Sequence, residues 1–249
     1  MSFNRNELEG NKIRSAYDQA KDESLQKLAL DFVIHSDKHQ YAYQWTYLGL
    51  PMIQLPADIV ATQEIIWKAQ PDLIIETGVA WGGSIIMYAS LMQLYGKGEV
   101  IGIDLNLYDH VADQIMSYPF SDRIQLYKGS SIDMDIVEKV REHIKKGMKV
   151  MVLLDSNHTH EHVLNELRLY APFVSKDQYL IVCSTIVESM PAQLHYSRLY
   201  GPGNNPKTAL LEYMQECDRF EVDKYFNSKA LTTFHPAGYL RCVNEHYAS

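Results

Sequence analysis

The sequence has few cysteines, few basic residues and no long apolar run. Its three cysteines, Cys183, Cys217 and Cys242, form no CxxC pair and no obvious disulfide framework, so we expect reduced thiols in the cytoplasm. Lys and Arg total 23 against 31 Asp and Glu, which gives a formal charge of -8. This balance argues against DNA or RNA as a partner, because a phosphate backbone requires basic patches on the protein.

Signals for a membrane or for export are also missing. No stretch reaches the roughly 18 apolar residues of a membrane span, and residues 1–7 have no apolar signal core. No internal repeat or low-complexity linker is visible. The 249 residues, 46% hydrophobic and 22% charged, therefore suit one large globular α/β domain with additions.

Apolar runs alternate with helix-like patterns through the middle of the chain. Continuous runs such as residues 151–154 and 179–182 are typical of parallel strands that are buried on both faces. The pattern predicts strands near residues 72–76, 99–104, 123–128, 149–154 and 178–183, and helices near residues 83–95, 108–117, 133–145, 159–170 and 206–218.

The N-terminal part of the chain has a different character. We expect residues 1–56 to form a helical and aromatic extension, and residues 57–249 to form the main domain. Leu25, Leu28 and Phe32 recur at the spacing of one helix face. Asp58 is predicted to cap the helix that follows.

The C-terminal part ends the alternation of strands and helices. Residues 230–234 and 239–243 flank His235-Pro236-Ala237-Gly238, which predicts a hairpin. The predicted fold is a mostly parallel seven-stranded sheet with an antiparallel C-terminal strand, the layout of Rossmann-like class I methyltransferases. Ligands in such sheets lie at the carboxyl ends of the strands.

A glycine loop follows the first predicted strand of this sheet. Residues 73–84 read Leu-Ile-Ile-Glu-Thr-Gly-Val-Ala-Trp-Gly-Gly-Ser. Glycine allows a close approach of the backbone to a ligand, and a helix that begins at the loop favours a carboxylate. Glu76 at the strand tip suits an ammonium group instead of a phosphate. We therefore expect Glu76, Gly78 and Ser84 to hold the methionine end of S-adenosylmethionine.

The next two strand ends supply candidates for the nucleoside end of the same cofactor. Asp104 ends a strand about 20 residues after the glycine loop, where a carboxylate commonly accepts hydrogen bonds from both ribose hydroxyls. Ser131 and Asp133 follow the third strand. They face the adenine edge or cap the next helix, and the sequence leaves both interpretations open.

The fourth strand ends in Asp155-Ser156-Asn157-His158-Thr159-His160-Glu161-His162. Asp155 is a candidate ligand for a divalent cation, and His158 is a candidate base for a hydroxyl proton. The spacing of His158 and His162, at i and i+4, is that of two zinc ligands on one helix face, but no third soft ligand is evident, so zinc is disfavoured. We expect His160 and Glu161 to form a solvated first helical turn.

Five segments together resemble the cephalosporin hydroxylase family, and the resemblance covers roughly residues 40–243. It implies an S-adenosylmethionine-dependent methyltransferase similar to rhamnosyl O-methyltransferases, with Glu76, Gly78 and Asp104 at the cofactor. The segments that carry the resemblance are residues 44–58, 63–67, 71–78, 154–163 and 201–209.

The sequence departs from that family after the fifth strand. Members of the family usually carry acid there, which completes a magnesium site with the acid that matches Asp155. Here the chain reads Cys183-Ser184-Thr185, and a thiol is a poor ligand for a hard cation. The enzyme is then metal-independent, or binds metal weakly with help from substrate oxygens, or has lost activity.

The leading prediction is methylation of a sugar hydroxyl in a surface glycan or a secondary metabolite. The aromatic segment of residues 41–47 and the loop of residues 190–205, with Tyr196 and Tyr200, are candidates for the acceptor wall. One alternative is a catalytically silent cofactor-binding protein. A nicotinamide-dependent oxidoreductase is disfavoured because Glu76 would crowd a pyrophosphate. We expect a small-molecule or glycan partner, and a homo-oligomer remains open.

Overall fold

The computed structural model describes residues 5–191 and 198–245, and within them seven strands form one sheet with helices on both faces. The sheet contains β3 (Leu73–Thr77), β4 (Glu99–Asp104), β5 (Ile124–Lys128), β6 (Val150–Leu154), β7 (Tyr179–Val182), β8 (Phe220–Val222) and β9 (Tyr239–Cys242), and β1 (Thr46–Tyr47) pairs separately with β2 (Leu50–Pro51). The helices are α1 (Arg5–Lys21), α2 (Glu23–Asp37), α3 (Pro56–Ala69), α4 (Gly83–Tyr95), α5 (Asp109–Met116), α6 (Met134–His143), α7 (His160–Tyr170), α8 (Pro206–Glu216) and α9 (Lys224–Lys229).

The strand order is β5-β4-β3-β6-β7-β9-β8. Strands β3 to β7 pair in parallel, and β9 runs antiparallel to both of its neighbours. The predicted fold class, a mostly parallel Rossmann-like sheet with an antiparallel C-terminal strand, is confirmed. The five parallel strands and the helices between them lie close to their predicted positions.

Alternate residues of the central strands pack into two hydrophobic cores. In β3, Ile74 belongs to the core under α3, α4 and α5, whereas Leu73 and Ile75 belong to the core under α6, α7 and α8. Both faces are therefore covered, which explains why these strands are apolar throughout. Glu76, on the same side as Ile74, points toward α4.

The chain changes direction in the sheet between β3 and β6. From β3 the chain passes to β4 on one side, and only later returns to β6 on the other side. The carboxyl ends of β3 and β6 therefore border a crevice, which is where open α/β sheets bind ligands.

The predicted hairpin near the C-terminus is wrong in its first strand. β9 pairs with residues 220–222 instead of residues 230–234. The reason is Asp58, which is 1% exposed and accepts hydrogen bonds from the Thr233 hydroxyl, the Phe234 N–H and the Tyr239 hydroxyl. Donors of this segment thus bond a buried carboxylate and form no strand ladder.

The same contacts correct the role predicted for Asp58. Helix α3 has Leu55 at its N-cap and begins at Pro56, so Asp58 already lies inside the first turn. Its side chain turns inward to fix the C-terminal segment, instead of capping the helix.

The N-terminal helix α1 packs against α9, and Val33 of α2 packs against Leu55 and Ile186. Gln19 donates a hydrogen bond to the Ser228 carbonyl oxygen at 2.7 Å, which connects α1 with α9. Helix α2 is confirmed, and its buried residues are Ala29 and Val33. Among the helices that the structure describes, none has the length and apolar character to cross a membrane.

Candidate active site

Gly78 forms the turn at the end of β3. Its φ of +92° lies in the left-handed region, and a Cβ there would stand 2.2 Å from the Asp155 carbonyl oxygen. Only glycine combines this backbone conformation with such a close approach to the end of β6. The turn therefore brings the glycine loop directly against Asp155.

Asp104 at the end of β4 organises the glycine loop. Its Oδ2 accepts hydrogen bonds from the Val79 and Ala80 N–H groups, both at 2.9 Å, and its Oδ1 accepts from the Asn106 N–H at 2.7 Å. Sequence reasoning assigned Asp104 to ribose and missed this role. A carboxylate has about four lone-pair sites, so capacity for a ligand hydroxyl remains.

Glu76 lies under the glycine loop and is 2% exposed. It accepts hydrogen bonds from the Ser84 hydroxyl at 2.6 Å and the Tyr88 hydroxyl at 2.8 Å. Burial raises the pKa of Glu76 to about 8, although the two hydrogen bonds oppose the shift. The structure thus places Glu76 as the support of Ser84, and its contact with a ligand ammonium group stays a prediction.

Helix α4 begins at the same loop. Its N-cap is Gly82, with φ +85°, and no side chain in the described ranges caps this end. The positive end of the helix dipole and the first N–H groups of the helix, near Ser84, therefore face the crevice. This arrangement suits a carboxylate.

Two clefts open at the carboxyl edge of the sheet. We name the first the Asp104 cleft, which is lined by Ala80, Asp104, Leu105, Ser130, Ser131 and His162 among others. We name the second the Tyr43 cleft, which is lined by Tyr43, Gln54, Trp81, Ser84, Met190 and Phe234 among others. Residues that line both clefts are Gly78, Ala80, Asp155, His158, Arg198 and Tyr200.

Asp155 lies where the two clefts meet. Gln54 donates a hydrogen bond to its Oδ2 at 2.8 Å, and His158 Nε2 lies 3.9 Å from its Oδ1. Burial, together with the nearby Glu76 and Glu166 carboxylates, raises the pKa of Asp155 well above its ordinary value. The group is therefore a stronger base than an exposed aspartate.

His158 stands beside Asp155 and packs edge-on against Tyr200, with ring centroids 5.0 Å apart. Burial lowers the pKa of His158 to about 4, so the imidazole is neutral near pH 7. A neutral imidazole has one nitrogen that accepts a proton. The two predicted catalytic residues are thus adjacent.

The predicted departure after β7 is a structural departure too. Burial raises the pKa of the Cys183 thiol, which keeps it protonated, and the Ser184 N–H donates to His235 Nδ1 at 3.0 Å. In the described ranges, no three His, Cys, Asp or Glu side chains form a group that could hold a metal ion. The side chains around Asp155 do not match the oxygen-rich set that magnesium requires.

The histidines after β6 separate into different environments. His158 precedes α7, while His162 Nε2 lies 3.0 Å from the Ser131 hydroxyl, so the two do not form a zinc pair. The prediction of a solvated first turn is wrong for His160. Its Nδ1 lies 2.8 Å from Thr208 Oγ1 and its Nε2 lies 3.2 Å from the Glu212 carboxylate, which ties α7 to α8.

Of the two remaining cofactor candidates, Ser131 lines the Asp104 cleft and Asp133 does not. Ser131 is 3% exposed. Asp133 is the N-cap residue of α6 by its backbone, although its side chain makes no capping hydrogen bond within the described residues. A contact of either side chain with adenine stays a prediction.

The predicted acceptor wall is partly in place. Tyr43 and Tyr200 line the Tyr43 cleft, whereas Tyr41 packs against Trp45 and Phe32. Tyr196 lies outside the described residues. Sequence reasoning missed the contact of Gln54 with Asp155, although Gln54 stands in a segment that carries the family resemblance.

The chain is similar in sequence to rhamnosyl O-methyltransferases of mycobacteria. The rhamnosyl O-methyltransferase of Mycobacterium tuberculosis is 29% identical over 199 residues, which cover 78% of this chain and 77% of that protein. The enzyme of the same description from Mycobacterium leprae is 27% identical and covers 78% of this chain and 82% of that protein.

Solved structures share the fold at lower identity. An apo structure of CmcI is 20% identical with a TM-score of 0.60, covering 81% of this chain and 77% of that one. A CmcI structure with Mg and SAM is 21% identical with a TM-score of 0.57, covering 81% and 78%. An O-methyltransferase from Bacillus cereus in complex with SAH is 13% identical with a TM-score of 0.52, covering 90% and 92%.

The family described as rhamnosyl O-methyltransferase/CmcI matches residues 39–243. This range contains all seven strands of the sheet and the lining residues of both clefts except Asp37. The match confirms the resemblance to the cephalosporin hydroxylase family, and the chain belongs to the rhamnosyl O-methyltransferase/CmcI family.

Proposed function

We propose that the protein transfers a methyl group from S-adenosylmethionine to a hydroxyl of a sugar. The observation that carries the proposal is the position of Asp155 and His158 at the junction of the two clefts. A cofactor in one cleft and an acceptor in the other would meet at a neutral imidazole and a buried carboxyl. Membership of the family supports the same reaction class.

The Asp104 cleft and the start of α4 fit S-adenosylmethionine. Asp104 has acceptor capacity left for a ribose hydroxyl, and Ser131 lines the same cleft, where adenine would follow. The uncapped start of α4 beside Ser84 would hold the carboxylate of the methionine end. Solved structures of the same fold were obtained with SAM or SAH.

The Tyr43 cleft fits a sugar. Tyr43 and Trp81 are 49% and 48% exposed and flank the cleft, and Tyr200 lies at its inner end. Aromatic faces of this kind pack against the apolar face of a pyranose while its hydroxyls reach polar groups. The rhamnosyl O-methyltransferase relatives make a deoxysugar the first acceptor to test.

The reaction requires alignment and the removal of one proton. When bound, the cofactor supplies a methyl group on a sulfonium, whose C–S bond breaks as the O–C bond forms, with the electron pair staying on sulfur. The methylated oxygen is strongly acidic until it loses its hydrogen, so even an imidazole with a pKa near 4 accepts that proton. His158 is the proposed base. Its Nε2 lies 3.9 Å from Asp155, which is too far for a hydrogen bond, and its ring is packed edge-on against Tyr200.

The Gln54 amide replaces a cation in this account. Its N–H donates to Asp155 Oδ2, and Cys183 and Ser184 offer no carboxylate beside it. The residues do not fit a magnesium ion, so no step of the mechanism passes through one. We expect activity to survive a chelator.

The free thiols support a reducing compartment for this activity. Cys183 and Cys242 are buried, Cys217 is partly buried, and all three are free. The cytoplasm, where such thiols stay reduced, is the proposed location.

The test is calorimetry followed by turnover. Titration with S-adenosylhomocysteine and with NAD should show binding of the first alone. Methyl transfer to a panel of deoxysugar nucleotides and rhamnosyl glycan fragments, each with and without a chelator, should then give a methyl ether. Binding without turnover on any acceptor would favour the silent binding protein, and preference for NAD would refute the cofactor assignment.

A further inference from the structure

A partly buried polar network borders the Asp104 cleft. His162 Nε2 lies 3.0 Å from the Ser131 hydroxyl oxygen, 3.2 Å from the Ser156 hydroxyl oxygen and 3.6 Å from Glu166 Oε1. Ser156 donates its hydrogen bond to Glu166 Oε1 at 2.7 Å. Both His162 and Ser131 line the cleft, so the network ends at its surface.

The donor and the acceptor of each hydrogen bond in the network are fixed. A serine hydroxyl has one hydrogen, and that of Ser156 is used on Glu166. Between Ser156 and His162, the hydrogen must therefore come from His162 Nε2–H. A ring nitrogen that carries a hydrogen has no lone pair to offer, so the Ser131 hydroxyl cannot donate to Nε2. The Ser131 oxygen shares the single Nε2–H with the Ser156 oxygen, and the Ser131 hydrogen points elsewhere.

The innermost group of the network is the Glu166 carboxylate. The Glu166 side chain is 0% exposed, and its Oε2 has no hydrogen-bond partner in the described part of the chain. A carboxylate only accepts hydrogen bonds, and buried chains of hydrogen bonds polarise one another in one direction. Because Glu166 accepts, Ser156 donates to it, and Ser156 in turn accepts from His162.

We infer that Glu166, Ser156 and His162 are positioning residues that fix the Ser131 hydroxyl as a hydrogen-bond donor toward the adenine ring of the cofactor. The inference rests on the proposed function, because it requires S-adenosylmethionine in the Asp104 cleft. Ring nitrogens of adenine accept hydrogen bonds and do not donate them. A serine held as a donor recognises one of them.

The first experiment uses binding alone. Titration calorimetry compares S-adenosylhomocysteine with its 1-deaza, 3-deaza and 7-deaza analogues, each of which replaces one ring nitrogen by C–H. One analogue should bind the unmodified protein about 3–10-fold more weakly, the loss expected for one hydrogen bond. Ser131→Ala should weaken S-adenosylhomocysteine by a similar factor and leave that analogue unaffected.

The second experiment tests the network behind Ser131. His162→Leu should lower affinity by a similar factor, and His162→Gln, whose amide N–H can replace Nε2–H, should restore most of it. Ser131→Ala with His162→Leu should bind no more weakly than either single variant, because both remove one interaction. Ser130→Ala is the matched control, since Ser130 lines the same cleft outside the network and its effect should multiply with that of His162→Leu.

The outcomes separate this inference from the proposed function. If the unmodified protein does not bind S-adenosylhomocysteine, the proposed function fails first. If it binds, but Ser131→Ala weakens all four ligands equally, Ser131 donates to no ring nitrogen and the inference is overturned. It is also overturned if His162→Gln binds as weakly as a folded His162→Leu, or if Ser131→Ala and His162→Leu multiply. Thermal unfolding of each variant establishes that it is folded.

Discussion

The Asp104 cleft and the Tyr43 cleft meet at the same two residues but are built in different ways. The Asp104 cleft is formed mostly by loops that directly follow β3, β4, β5 and β6, together with residues 198–200, and the Asp104 carboxylate accepts hydrogen bonds from backbone N–H groups of the glycine loop. The Tyr43 cleft takes its side chains from distant parts of the chain, such as Tyr43, Ser184 and Phe234.

The difference implies that the proposed cofactor and the proposed acceptor are recognised by different kinds of groups. Backbone groups and strand ends hold the proposed cofactor, and they change only if the sheet changes. Side chains from separate segments hold the proposed acceptor, so substitutions there can alter the acceptor without disturbing the cofactor. The variants below should separate the two clefts, or damage both at their junction.

Gly78→Ala should have the largest effect, because it damages both clefts. The added Cβ would meet the Asp155 carbonyl oxygen at 2.2 Å, and φ +92° disfavours any side chain. We expect a loss of at least 1–3 kcal/mol of stability from the backbone alone, together with loss of cofactor binding. Thermal unfolding and calorimetry measure both.

Gly96→Ala is the matched control for that variant. Gly96 has φ +83° at the end of α4, and a Cβ there meets nothing within 4 Å. It should cost stability but leave S-adenosylhomocysteine affinity intact. Equal loss of affinity in the two variants would show that strain, and not the junction, explains the effect.

His158→Ala should separate chemistry from cofactor binding. Loss of a positioned base lowers the rate by about 10²–10⁴-fold, while affinity for S-adenosylhomocysteine should change little. Because the pKa of His158 is near 4, the rate that depends on it should stay constant from pH 6 to pH 8. His160→Ala, which loses contacts with α8, should lower stability without lowering the rate of folded protein. A folded His158→Ala variant with the normal rate would pass the role to Asp155 or solvent.

Gln54→Leu should affect the acceptor side alone. The change removes the amide that donates to Asp155, and the expected rate loss is about 5–10-fold, the value of one hydrogen bond. Cofactor affinity should not change. Gln44→Leu is the control, since Gln44 bonds only the His39 carbonyl oxygen on the surface in the described ranges. A large loss of cofactor affinity in Gln54→Leu would mean that the two clefts are not independent.

Glu76→Gln should have the smallest effect near pH 5, because it acts on the pH dependence of stability. The folded pKa, about 8, lies above the ordinary value of 4.5, so the folded state binds the proton more tightly than the unfolded state. Its contribution is complete below about pH 4.5 and is lost as the pH rises toward 8. The variant should flatten the fall of Tm between pH 5 and pH 8. An unchanged slope would show that Glu76 is ionised in the folded protein.

Much of the fold could be predicted because its signals are local. Continuous apolar strands, glycine at strand ends and alternating helices predicted β3 to β7 and the helices between them. The C-terminal hairpin could not be predicted, because its first segment bonds to Asp58, about 175 residues earlier in the chain. A donor that finds a distant partner leaves no local pattern.

The site was predictable to a similar degree. The sequence could group Asp155, His158, Gly78 and Asp104 as candidates, because they lie at or soon after the ends of strands that meet at one edge of the sheet. The positions of Glu76 beneath the loop and of Gln54 on Asp155 depend on packing between α4, β2 and the sheet, which spacing along the chain does not encode. The contact of His162 with two serines also required the fold.

A crystal structure with S-adenosylhomocysteine bound tests the central claim most directly. The account predicts adenosine in the Asp104 cleft, a ribose hydroxyl on Asp104, and the sulfur at the junction beside Gly78, facing Asp155 and His158. The Tyr43 cleft, apart from its Ser84 edge where the methionine carboxylate binds, should stay open for the acceptor. A sulfur atom remote from His158, or adenosine in the Tyr43 cleft, would contradict the arrangement from which the mechanism is derived.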